Sequence, residues 1–242
     1  MLYPGYAAED DYAGVERLLG SSVALPLVHT TPDDVAHTED NLLAVGQPDE
    51  LAAGWRQLAP HRPDAVMWAC TSGSFVFGWD GARDQADTLA STADVPASST
   101  SIAFVEAAHA LGVRRVAVAA TYPEGIAARF VEFLAAGGIE VVSFTSKDIL
   151  QAADVGDLGR EAVLELAAST AESGAADAEA VLLPDTALHT VAWLDAMEAA
   201  AGKPVLTANQ VTAWEGLRLA GHHERAAGLG ALFRLSPDRA RA

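Results

Sequence analysis

The sequence predicts an α/β fold of two pseudosymmetric lobes, each a mainly parallel sheet flanked by helices. Two observations carry this expectation. Apolar runs of strand composition alternate with helical patterns along the chain, the signature of βαβ units. The chain also repeats itself. Asp64-Ala65-Val66-Met67-Trp68-Ala69-Cys70-Thr71 reads against Glu179-Ala180-Val181-Leu182-Leu183-Pro184-Asp185-Thr186. Tyr3-Pro4-Gly5 recurs as Tyr122-Pro123-Glu124, and the eight residues from Ser99 to Glu106 line up with Ala208 to Glu215. The offsets of 119, 115 and 109 drift as small deletions between matching elements would make them. Such self-similarity indicates a duplicated unit, with halves near 1–112 and 113–221.

Strands are expected at Met1–Pro4, Val23–Val28, Ala65–Ala69, around Val95, and at Arg115–Ala120, Ile139–Phe144, Ala180–Leu183 and Pro204–Thr207. Helical periodicity covers Asp49–Ala59, Ile102–Leu111, Gly125–Ala136, Asp157–Ser173, Leu188–Ala201 and Val211–Ala220. Gly112, Gly137-Gly138, Gly202 and Gly221 follow helical stretches and suit left-handed caps. Ala175–Ala178 reads as a loop, and Ser236–Ala242 as a fraying tail. Residues 1–95 together with 208–242 are assigned to lobe one, which carries Cys70. Residues 96–207 form lobe two, with Tyr122 and Asp185.

The 242 residues, half of them apolar, suffice for a large core. No apolar run reaches the roughly 18–20 residues of a membrane span, and no signal-peptide pattern is visible. A single cysteine fits a cytoplasmic protein without internal disulfides. The formal charge of −18 disfavours nucleic acid and anionic membranes as partners, and it requires any anionic substrate to be held by aimed dipoles and hydroxyls. The seven histidines show no metal-binding spacing. Metal catalysis is therefore disfavoured; with no phosphate loop and no hydrolase nucleophile elbow, nucleotide binding and a serine-hydrolase mechanism are disfavoured too. A homo-oligomer would suit an apolar, acidic chain.

Ligands of parallel α/β sheets bind beyond the carboxyl ends of the strands. Tyr3, Cys70, Thr100, Tyr122, Asp185 and Asn209 all fall at such ends. Cys70 leads into Thr71-Ser72-Gly73-Ser74, where helix-start amides are expected to lower the thiol's pKa and favour thiolate. Asp185 either caps a helix beginning near Thr186, acting as a base, or faces a dry cleft as an acid. Thr71, Ser72 and Thr186 supply hydroxyls and amides for a carboxylate or enolate, and the Tyr122 phenol is a further donor. Tyr3 and Tyr6 are weaker candidates. Phe75, Phe77 and Trp79 form an aromatic loop that lines a pocket, a lid or the core. His189 is placed on a solvated helix face.

The Cys70–Phe75 turn, the Ser99-Thr100-Ser101 segment and the run Leu111–Tyr122 resemble the Asp/Glu racemase superfamily. Within it, the similarity is closest to the branch of arylmalonate decarboxylases and maleate cis-trans isomerases, and it extends from Tyr3-Pro4 to Gly221. The resemblance implies an active site between the two lobes and no metal or organic cofactor. Racemases and maleate isomerases of this group use two cysteines, one per lobe, and Cys70 matches the first. The decarboxylases are similar in Thr71, Ser72 and Tyr122, which stabilise the enediolate left when carbon dioxide departs. Their single cysteine stands at the position of Asp185. The chain thus departs from both patterns. The leading expectation is a cofactor-independent isomerase or racemase, maleate isomerase-like, acting on a small carboxylate or dicarboxylate. Cys70 and Asp185 are its catalytic pair, and Thr71, Ser72, Tyr122, Thr186 and Tyr3 bind substrate. A decarboxylase is the close alternative, and a non-catalytic carboxylate-binding protein the third.

Overall fold

The computed structural model of the chain describes residues 1–20, 23–31, 35–172 and 177–236. It contains two four-stranded parallel sheets of identical topology. The first has β1 (Leu2–Pro4), β2 (Val28–Thr31), β3 (Val66–Trp68) and β4 (Ala97–Ser99) in the order β2-β1-β3-β4. The second has β5 (Arg115–Ala120), β6 (Glu140–Ser146), β7 (Ala180–Leu183) and β8 (Val205–Thr207) in the order β6-β5-β7-β8. Central strands buried on both faces must be apolar throughout. This is why β5 and β7, all of whose residues except Arg115 are buried, were legible almost to the residue.

Helices flank both sheets. In order they are α1 (Asp10–Leu19), α2 (Glu39–Val45), α3 (Pro48–Leu58), α4 (Ser72–Phe75), α5 (Gly78–Ala93), α6 (Thr100–Leu111), α7 (Glu124–Ala136), α8 (Ala152–Gly156), α9 (Arg160–Glu172), α10 (Leu194–Ala201) and α11 (Ala208–Leu219). The pseudo-equivalent helices α6 and α11 pack along one another, and the Thr100 and Thr212 hydroxyls meet at 2.6 Å. Ser99 caps α6 and Thr207 caps α11, so the true offset of this pair is 108 rather than the expected 109. Gly112 and Gly202 close α6 and α10 with φ of 75° and 66°, the left-handed caps foreseen for them.

Several expectations are corrected. The strand placed at Val23–Val28 begins only at Val28, because Pro26 has no N–H to give a ladder; its carbonyl instead accepts from the Met1 amine. The helix placed at Leu188–Ala201 begins at Leu194. The Asp11 carboxylate takes the Thr190 and Val191 N–H groups, and the segment forms only a 3-10 turn at Val191–Trp193 before the α-helix. The aromatic loop through Phe75, Phe77 and Trp79 is helical instead, crossing from α4 into α5. A lobe boundary after residue 95 cuts off β4, which pairs with β3 of the Cys70 lobe. Of the loop at Ala175–Ala178, residues 175 and 176 lie outside the described residues, as does Ser173 of the expected helix; so does the tail beyond Ser236.

The turn after β3 is pinned by the close approach of two glycines. The Gln85 amide donates to the Gly46 and Gly73 carbonyls at 2.7 and 3.1 Å, and the Trp68 indole donates to Gly73 at 3.2 Å. A Cβ on Gly46 would sit 2.2 Å from the Gly73 carbonyl oxygen, which is backbone and cannot swing away. Gly46→Ala is therefore expected to lower stability by about 1–3 kcal/mol in thermal denaturation, the usual cost of overpacking. Gly125→Ala in α7 meets nothing within 4 Å and should be neutral or stabilising, by up to about 1 kcal/mol.

Candidate active site

The carboxyl ends of β1, β3, β5 and β7 converge on a buried polar centre. Cys70 lies just past β3 and is 3 % exposed. Its sulfur accepts the Gly73 N–H at 3.2 Å and lies 3.9 Å from the Ser72 hydroxyl. The expected thiolate does not result. α4 is a single turn with little dipole to offer, and burial pushes the thiol up to about 12, with the nearby Asp185 charge adding to the rise. Cys70 is thus a neutral thiol at physiological pH.

Asp185 follows β7 and is 4 % exposed. It is not a helix cap, since no helix begins at Thr186. Its Oδ1 accepts the Ala187 N–H at 2.9 Å in a tight side-chain turn. Its Oδ2 accepts the Thr121 hydroxyl. His37 Nε2 stands 3.8 Å from the same oxygen. His37 and Thr121 were not singled out from the sequence. Thr121 was hidden by its neighbour Tyr122. His37 precedes the Thr38 cap of α2 in a stretch without periodicity, where no local cue marks it.

The hydroxyls divide into committed and free groups. Tyr122 donates to the Pro184 carbonyl, so its proton is not aimed at a substrate oxygen as expected. Tyr3 donates to the Thr186 carbonyl at 2.9 Å and accepts the Ala8 N–H at 3.1 Å, which ties lobe one to lobe two. Burial raises both phenols well above their usual range. The Thr186 carbonyl also accepts from the Asn209 amide at 3.2 Å. Thr71 is the exception. Its Oγ1 is fully buried beside the Tyr122 phenol and makes no hydrogen bond of good geometry among the described residues. Thr71, Ser72, Cys70, Tyr122 and Asp185 therefore lie close to one another, with Tyr3 and Thr186 joined on the Asp185 side.

The remaining candidates lie elsewhere. Thr100 and Asn209 serve the packing of α6, α11 and α1, with Asn209 donating to Asp11 at 3.1 Å. Tyr6 is 56 % exposed and stacks on His29. Phe75 packs against Tyr122 and Phe130, and Trp79 against Phe133. His189 is not on a helix; its ring nitrogens lie 2.8 Å from Asp10 and 3.2 Å from the Gly156 carbonyl. Among the described residues no group of three His, Cys, Asp or Glu side chains could hold a metal ion, and no helix is long and apolar enough to cross a membrane.

Two lobes of equal topology, with candidate reactive residues past the ends of corresponding strands, are consistent with the architecture of the Asp/Glu racemase superfamily. The chain belongs to the arylmalonate decarboxylase family, whose model matches residues 46–233. It is 30 % identical over 140 residues to the arylmalonate decarboxylase of Bordetella bronchiseptica, an alignment spanning 57 % of this chain and 58 % of that relative. A liganded arylmalonate decarboxylase in which a glycine is replaced by cysteine and a cysteine by serine superposes with a TM-score of 0.82, at 25 % identity, over 97 % of this chain and 99 % of that one. A maleate cis-trans isomerase of Nocardia farcinica, holding a covalent succinylcysteine intermediate, shares the fold with a TM-score of 0.85, at 19 % identity, over 97 % of both chains.

The raised thiol makes a prediction for stability. An unfolded cysteine releases its proton near pH 9, whereas buried Cys70 holds it to about 12. The folded state binds the extra proton in that window, so stability present below pH 9 is lost as pH rises toward 12. Denaturant titrations should show wild type losing up to about 1.4 kcal/mol per pH unit more than Cys70→Ser. The buried tyrosines contribute equally to both proteins and cancel from the difference.

Proposed function

We propose that this protein is a cofactor-independent decarboxylase of a small malonate-type dicarboxylate, in which Cys70 protonates the enediolate left by carbon dioxide. The observation that carries this reading is the neutral Cys70 thiol beside the Ser72 hydroxyl, with the buried Thr71 hydroxyl next to the Tyr122 phenol. These hydroxyls would bind an enediolate oxygen more strongly than the starting carboxylate, which is the differential binding that accelerates a reaction. Ser72 lies one residue on, with its hydroxyl toward the sulfur. The thiol is then placed to deliver a proton to the carbon next to that oxygen. Thiolate addition to a double bond, as the isomerase expectation requires, is disfavoured by a thiol held at about 12. The family model supports the same choice.

A second reading has its own observation. Asp185 stands on the lobe opposite Cys70 with His37 at its side, an arrangement suited to removing an α-proton from one face while Cys70 supplies one to the other. Racemisation of a small chiral carboxylate is its outcome.

Incubation with 2-alkyl- and 2-arylmalonates in deuterated water separates the two. Carbon dioxide release with a single deuterium at the product α-carbon is expected. Deuterium washing into chiral monoacids without carbon loss would put racemisation first. Neither activity across the panel would favour the maleate isomerase-like or the carboxylate-binding reading instead. Cys70→Ala should lower turnover by about 10²–10⁴-fold, the usual contribution of a positioned proton donor, while malonate binding persists. The proton arrives from lobe one, so the product should have the opposite hand to that of a relative whose cysteine stands where Asp185 does here.

A further inference from the structure

A proton donor becomes an anion once it has given its proton, and a buried thiolate needs hydrogen-bond donors already in place. Cys70 has one, and its position is fixed from behind. The Gly73 N–H donates to the Cys70 sulfur at 3.2 Å. The Gly73 carbonyl in turn accepts the Gln85 side-chain amide at 3.1 Å and the Trp68 indole N–H at 3.2 Å. Gln85 reaches the turn from α5, 7 % exposed, and directs its amide to the Gly46 carbonyl as well, at 2.7 Å. Both partners are carbonyls, which can only accept, so the nitrogen of Gln85 faces the turn. Its oxygen is left without a partner among the described residues. A methionine would fill the same space with no such orphan, so what glutamine adds here is its two N–H donors. Packing removes the remaining freedom. A Cβ on Gly73 would lie 3.1 Å from the Cys70 sulfur, 3.2 Å from the Trp68 ring and 3.3 Å from Val45. Glycine at this position lets the backbone lie against the sulfur.

We propose that Gln85 is a positioning residue of the catalytic centre, which together with Trp68 fixes Gly73 so that its N–H carries the thiolate charge Cys70 acquires in the reaction. This rests on Cys70 being the proton donor. The Cys70 S–H bond breaks as the α-carbon–hydrogen bond forms, and the electron pair stays on sulfur. Solvent returns a proton to the sulfur as product leaves, so each turnover takes up one proton and releases one carbon dioxide. A neutral thiol is a weak acceptor and a thiolate a strong one, so the Gly73 bond strengthens as the proton departs. The amide therefore stabilises the transition state more than the resting protein, and it raises kcat rather than tightening substrate binding. Burial sets the thiol's pKa high, and the Gly73 bond opposes that rise, with the Ser72 hydroxyl adding to the opposition from 3.9 Å. Gln85 itself bonds only to the two glycine carbonyls and acts through Gly73.

Cys70 is the only cysteine, so the S–H stretching band of the full-length protein reports this contact without a label. Gln85→Met keeps the side-chain volume and removes both donors. Folded as judged by circular dichroism, it should shift and broaden the narrow wild-type band. Its kcat for carbon dioxide release from a malonate should fall at least about tenfold, while KM stays within about twofold. Trp68→Phe removes the other donor to the Gly73 carbonyl and should move band and kcat in the same direction; it carries the test should Gln85→Met not fold. A band identical to wild type in a folded variant would overturn the proposal, as would a raised KM with kcat intact. A wild type that releases no carbon dioxide from any malonate would remove the decarboxylase reading and the rate effect with it. The band would still decide whether Gln85 aims Gly73 at the sulfur.

Discussion

The site is organised by the need to keep one carboxylate, Asp185, inside the protein. A buried carboxyl group without partners costs several kcal/mol, so its surroundings must supply donors or a proton. Two hydrogen bonds and a neighbouring imidazole surround it, and each fixes a different part of the fold. The Thr121 hydroxyl sets the end of β5, the Ala187 amide sets the turn after β7, and His37 sets the strap that crosses from lobe one where Ala36 bridges Gln151. The loop that receives the strap is bound in turn to the β5 end, where Lys147 and Ile149 donate to the Ala120 and Thr121 carbonyls. Removing the carboxylate would therefore loosen lobe closure as well as chemistry.

The duplication explains why the two halves can carry unlike chemistry on like scaffolds. Both sheets have the same strand order, and both offer a strand end followed by a small polar turn. On lobe one the turn is tight, with a glycine amide aimed at the Cys70 sulfur and its far side pinned by Gln85 and Trp68. On lobe two the corresponding stretch is held open by Asp11, whose carboxylate reaches from α1 to take the Thr190 and Val191 amides. Asp11 is itself buried, and that burial raises its pKa against the bonds from Asn209 and the two amides. A second buried carboxylate thus shapes the loop that carries the first.

How much of this was legible follows from what kind of signal each element leaves. Buried parallel strands leave continuous apolar runs, so β5 and β7 and the reactive residues at their ends were readable. The unlike pair Cys70 and Asp185 showed in the repeat itself. α1, α2 and α5 left weaker traces, since their buried stripes are short and rich in alanine or interrupted by Asp and Gln, as at Ala82, Gln85 and Ala86. The thiol's pKa was misjudged because amides at a helix start can be foreseen locally, whereas the burial that outweighs them is tertiary. His37 was unreadable for the same reason. Its role arises from a strap that joins residues more than 100 positions apart, at Ile149 and Asp185, and nothing within a few residues of it records that meeting.

Electrostatics closes the case for hydroxyl chemistry at this centre. The chain carries a formal charge of −18, yet the groups that surround Cys70 and Asp185 are hydroxyls, backbone amides and one imidazole. A lysine or arginine here would bind the starting dicarboxylate and the enediolate alike, and uniform binding lowers KM without raising kcat. Short dipoles in a water-excluded space discriminate better. In the proposed decarboxylation they would gain most where charge concentrates on one oxygen, and they are oriented beforehand. Thr71 would meet that requirement in the proposed reaction, its buried hydroxyl lying beside the Tyr122 phenol and able to exchange that contact for a substrate oxygen. An acidic protein that must hold an anion is thereby led to neutral donors, and the burial that makes those donors effective also keeps the Cys70 thiol protonated for transfer.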